Sequence, residues 1–161
     1  MSKEKIPFGD FLMDVDPAYL EFVMQLHEYL MENDCEVLIK PAKAGFVVSY
    51  SHNKTKKVVA NYVFRKKGLI MRIYGDHVEK YMDAINTMPE EMTKAVEKAP
   101  VCKRLLDPAK CNSRCPMGYV FTLKDTEYKK CRYSSFMFLM NEENYPYIKT
   151  LLEHELKERS A

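Results

Sequence analysis

The sequence predicts an α+β fold with a mainly antiparallel sheet and a Cys-rich loop, in the order helix, four strands, two helices, two strands, helix. Three observations point there. Apolar residues early in the chain recur every three or four positions. The stretch behind them switches to short β-branched and aromatic runs that alternate. Strand-like and helix-like stretches then come in blocks, whereas a parallel α/β fold would interleave them one by one.

Asp16-Pro17 marks the start of the first helix, because Asp caps well and Pro at the first helical position loses no hydrogen bond. Leu20, Val23, Met24, Leu26, His27, Leu30 and Met31 form its apolar stripe, which ends near Asp34. Strands are predicted over residues 36–40, 44–51, 57–65 and 69–74. The last two read as a hairpin turning through Lys67-Gly68, since Gly reaches positive φ. That turn sets Phe64 against Met71 and Tyr62 against Ile73 on a core face. It sets Val63 against Arg72 and Asn61 against Tyr74 on a mixed face. Asp76 is expected to cap a helix through Val78, Tyr81, Met82 and Ile85. Pro89-Glu90-Glu91 opens another that stops before Pro100. Residues 118–124 and 128–140 read as two further strands joined at Lys124-Asp125-Thr126-Glu127. The second is expected to be central, because its end is almost wholly apolar. A last helix covers about 142–158, with Ile148, Leu151, Leu152 and Leu156 inward and Pro146 tolerated in its first turn. No repeat, low-complexity tract or linker intervenes, so residues 1–161 are expected to form one domain.

The chain has 161 residues, 47% hydrophobic and 30% charged. A chain of this size buries roughly 70% of its unfolded surface and does not depend on metal or disulfides to fold. No apolar run nears the ~20 residues of a membrane span. The segment Met1-Ser2-Lys3-Glu4-Lys5-Ile6-Pro7 lacks the apolar stretch of a signal peptide. A cytoplasmic location is expected, where thiols stay reduced.

The net charge of +2 conceals a segregation. Residues 6–39 hold eight acids and no Lys or Arg, whereas residues 37–72 hold nine Lys or Arg and no acid. Residues 101–132 carry eight Lys or Arg against three acids. Acidic and basic surfaces that neutralise each other across one small body are the plain reading. A positive surface for a small anion or a nucleic acid is the functional one.

Four of the five cysteines, Cys102, Cys111, Cys115 and Cys131, crowd into that last segment among turn formers. Four thiolates suffice for a tetrahedral structural zinc, which is the preferred reading, although the paired C-x2-C spacing of zinc ribbons is missing. An iron–sulfur cluster is a weaker match, suggested by Cys115-Pro116. A thiol–disulfide sensor is favoured by Lys103, Arg104, Lys110, Arg114, Lys130 and Arg132, which promote thiolate. Cysteines buried as small apolar side chains are the remaining alternative. Cys35 is expected to be buried and inert.

His27, His52, His77 and His154 are scattered, and His27 falls near the apolar stripe of the first helix. No Ser/His/Asp arrangement, phosphate loop or H-E-x-x-H motif is present, so no enzymatic activity is assigned. The mixed sheet face supplies a second candidate site, made of Ser49, Asn61, Arg65, Arg72 and Tyr74. Arg72 interrupts an apolar strand. Its guanidinium fork would present itself to a carboxylate or phosphate ligand, pair with an acid of the first or last helix, or simply face water. Eleven Tyr and eight Phe among basic residues raise the possibility of nucleic-acid binding, but most fall on core-facing positions and no recognition motif accompanies them. The function expected is therefore a zinc-binding protein that takes a small anionic ligand on its sheet face, with redox and nucleic-acid roles as rivals.

Overall fold

Four strands consecutive in sequence pair as an antiparallel meander: β1 (Cys35–Ala42), β2 (Gly45–His52), β3 (Val58–Arg65) and β4 (Gly68–Ile73). A fifth strand, β7 (Phe136–Leu139), joins β4, giving the order β1-β2-β3-β4-β7. β5 (Tyr119–Leu123) and β6 (Thr126–Lys130) form a separate two-stranded sheet. The structure, a computed structural model, describes residues 6–75, 77–99, 101–107, 109, 119–130 and 136–160. The α+β class and the antiparallel pairing agree with the sequence reading.

The helices are α1 (Phe8–Leu12), α2 (Leu20–Glu32), α3 (Met82–Asn86), α4 (Glu90–Glu97), α5 (Lys103–Leu106) and α6 (Tyr145–Ser160), with a 3₁₀ turn at Val78–Lys80. The alternation of β3 and β4 sends Tyr62 and Met71 to one face, where α1 and α2 meet them. Phe11 stacks on Tyr62 at 5.5 Å, and the Tyr62 hydroxyl donates to the Val23 carbonyl of α2. α6 lies beside α2, where Tyr145 stacks on Phe22 at 4.6 Å and donates to Gln25. One hydrophobic cluster runs from Phe11 to Leu156 and takes in β5 through Phe121 and Leu123.

Four expectations are corrected. The β3–β4 hairpin turns at Lys66-Lys67, with Gly68 after the turn at φ +132°. The pairs are Phe64 with Leu69, Tyr62 with Met71 and Asn61 with Arg72. Gly45 repeats the arrangement after Lys43-Ala44, at φ +94°. The pairing moves by two residues, so every side chain keeps its predicted face. The predicted strand over 128–140 is two strands in two sheets, and β7 is an edge strand, not a central one. α2 begins at Leu20, because Asp16 instead forms a local turn by accepting from the Ala18 amide. The single helix expected after Asp76 is a 3₁₀ turn followed by α3.

Candidate anion-binding groove

α4 packs against the edge strand β7, at the same end of the sheet as the β3–β4 turn. Between them lies an open groove of about 920 Å³. Its floor is apolar and comes from both sides. Ile70 and Leu139 are cross-strand partners on β4 and β7, Met137 lies two residues before Leu139, and Ala95 and Ala99 face them from α4 and its end. Two alanines one turn apart leave no side chain long enough to fill the space, which is the local reason a groove exists here. Met137 is 41% exposed in it.

The rim is cationic on both banks. Arg65, Lys66 and Lys67 occupy the hairpin end, and Lys94 on α4 and Lys98 at its C-terminal cap stand one turn apart. Among the described residues, Glu91 is the one acidic residue lining it. Lys94 pairs with Glu90 at 3.5 Å, but both side chains are well exposed, so the pair is weak. Among the described residues, Lys66, Lys67 and Lys98 make no ion pair. Cations held around an apolar floor are an arrangement suited to an organic anion.

The sequence-predicted sheet-face residues divide. Ser49, Asn61, Arg72 and Met137 form one cross-strand row over β2, β3, β4 and β7. Arg72 Nε donates to Asn61 Oδ1 at 2.6 Å, and no carboxylate pairs with Arg72 among the described residues. Asn61 and Val63 are buried on this face, so the open part lies further along, where Arg65 alone of the five predicted residues lines the groove. Tyr74 lies past the end of β4, and its carbonyl accepts from Arg159. Lys94 and Lys98 were missed. Their spacing with Glu91 and Ala95 marks a single helix stripe, but nothing local in the sequence says that this stripe faces Arg65.

Of the cysteine cluster, Cys102 is described. It is buried, and its amide donates to the Lys129 carbonyl at 2.9 Å. Cys111, Cys115 and Cys131 lie outside the described residues, and with them the expected convergence of four thiols. Among the described residues no group of three or more His, Cys, Asp or Glu is placed to hold a metal. Cys35 is buried, and burial pushes its thiol up to about 11. Tyr50, Tyr62, Phe11, Phe136 and Phe138 are fully buried, so these rings do not offer stacking platforms.

A buried polar cluster, also missed, ties α6 to the far end of the sheet. Glu155, fully buried, accepts from Arg159 Nε at 2.7 Å, from Tyr81 at 2.7 Å and from the His77 amide at 3.0 Å. His77 Nδ1 lies 2.9 Å from it. Arg159 also donates to the carbonyls of Lys57, Val58 and Tyr74. With its donors supplied, the carboxylate acts as a clamp between helix and sheet.

These features define a mixed sheet-and-helix protein with a basic, apolar-floored groove at one end. No protein-family model matches the chain, and no curated protein or solved structure matches it significantly. No helix among the described residues is long and apolar enough to cross a membrane.

Proposed function

We propose that this protein binds a small organic anion in the groove between the β3–β4 hairpin end, β7 and α4. The observation that carries this is the pairing of cations on opposite banks, Arg65, Lys66 and Lys67 facing Lys94 and Lys98, across an apolar floor. A carboxylate or phosphate there meets charged donors from either side. The test is thermal unfolding against a panel of carboxylates and phosphates, with the Lys94→Gln/Lys98→Gln double variant as control. A ligand at a hundred times its Kd stabilises by about 2.7 kcal/mol, an easily read shift. The shift is expected with wild type and is expected to shrink with the variant. An unmoved melt across the panel would remove the reading.

A second reading, structural zinc, draws support from one pairing. Val101 bridges Lys130, so the residues directly preceding Cys102 and Cys131 lie side by side. Tetrahedral zinc would add Cys111 and Cys115. Metal analysis of anaerobically purified protein tests it, with about one zinc per chain expected and loss of that zinc on replacing Cys102 with Ser.

A further inference from the structure

Resting on that reading, we infer that the anion is amphiphilic: a single carboxylate or phosphate head on an unbranched apolar chain, bound as a monomer. The floor carries the argument. Met137, Leu139 and Ala95 present aliphatic surface along the groove, Met137 being 41% exposed, while Ile70 and Ala99 lie buried beneath them. A compact, fully hydrated anion such as inorganic phosphate would leave this surface wet and use only the rim. The volume of about 920 Å³ also exceeds what a small inorganic ion needs and falls within the roughly 300–1,000 Å³ of small-molecule sites. Cations confined to the rim complement a head that stays at the water's edge. The chain lies beneath it, between β7 and the helix. The alanines set its shape. Ala95 and Ala99 bring only Cβ atoms to the helix side, beside the buried Met92, which favours a slender linear chain over a bulky ring system.

Titration calorimetry with the full chain distinguishes this from its parent reading. The probes are acetate, hexanoate, octanoate and decanoate below their micellar concentrations, with inorganic phosphate, citrate and decanol as comparators. Affinity is expected to rise about fourfold for each added methylene that becomes buried, because each contributes about 0.8 kcal/mol. Ala95→Leu keeps every charge but narrows the floor, and is expected to flatten that chain-length dependence. Lys94→Gln/Lys98→Gln is expected to weaken decanoate by tenfold or more and leave decanol unchanged. If citrate or phosphate binds as tightly as decanoate, anion binding stands and the amphiphile inference is overturned. If no probe binds, both fail. Decanol binding as well as decanoate would also overturn it, since the cations would then be idle. Binding to vesicles of anionic lipid without binding of monomeric decanoate would assign the groove to a membrane surface and overturn it likewise.

Discussion

Two residue-scale arrangements have energetic consequences. Glu155 is fully buried with Arg159, Tyr81 and His77 around it. Such a pair adds little over an apolar replacement of the whole group, but removing one partner strands the other's charge. Glu155→Ala is therefore expected to cost about 3–5 kcal/mol in urea unfolding. Replacing Glu155 and Arg159 together with apolar residues should cost less than the sum of the two single changes. The second arrangement is a pair of histidines. His27 lies 2.8 Å from the Tyr50 hydroxyl and stacks on Phe8, and burial lowers its pKa. His52 is also lowered, first by burial and then by the nearby Arg159. Both folded-state values lie below the ordinary value of about 6.5 that the unfolded chain regains. The unfolded chain thus holds more protons, so this part of the stability is complete above about pH 6.5. It is lost as pH falls through the folded-state values. Unfolding free energies measured from pH 8 to 5 should fall on the acid side, and the slope should flatten in His27→Gln/His52→Gln. An unaltered slope in that variant would place the acid sensitivity elsewhere.

At the scale of elements, Lys130 joins the two sheets' surroundings. It is buried at the end of β6, and its ammonium donates to the Ala99 carbonyl at 2.8 Å and to the Glu97 carbonyl. These lie at the C-terminal end of α4, where backbone acceptors lack helical partners and the dipole favours a cation. Burial lowers its pKa, so the site holds the charge at some desolvation cost. Lys130→Met should destabilise by about 1–3 kcal/mol, the cost of leaving buried acceptors unmet. Loss of hydrogen-exchange protection should begin in α4 and β6; uniform loss would contradict the local cap. This lysine also shows where sequence reading stops. The period-two pattern from 128 onward looks like one strand, and both β6 and β7 do lie within it. That they separate into two sheets depends on Lys130 reaching α4 and on Phe136 and Phe138 reaching β4, contacts that no local pattern encodes. The β3–β4 hairpin failed more gently. The glycine marked the right corner, but it follows the turn at φ +132° where the reading placed it inside. The faces survived because alternation is insensitive to a shift of two.

For the molecule as a whole, the charge segregation legible along the chain becomes spatial only in part. The basic run containing Arg65, Lys66 and Lys67 does form one bank of the groove, as local sequence order allows. The opposite bank, Lys94 and Lys98, comes from a stretch that is acidic as much as basic: Glu90, Glu91 and Glu97 share it. Its role depends on which stripe α4 turns inward, and Met92, Thr93 and Val96 decide that by being buried. The core was readable because alternation and helical period report burial directly. The site was not, because it is a meeting of two solvent-facing stripes, and solvent-facing stripes carry no periodic mark of their neighbours.

The place of β7 in the sheet has a kinetic meaning. β1 to β4 are joined by short turns and can pair as each is reached, whereas Ile73 and Phe136 pair across the whole of residues 74–135. Closing so long a loop carries an entropic cost that local hairpins avoid, and distant pairing slows folding. The meander should thus assemble early and the β4–β7 pairing late. In pulse-labelled hydrogen exchange during refolding, amides of β2 and β3 should gain protection before those of β7; simultaneous protection would show that the chain closes in one step. Since the groove lies between α4 and the β4–β7 side of the sheet, it needs β7 in place, and it would be the last part of the molecule to exist. A ligand that waits for it would select chains that have finished folding.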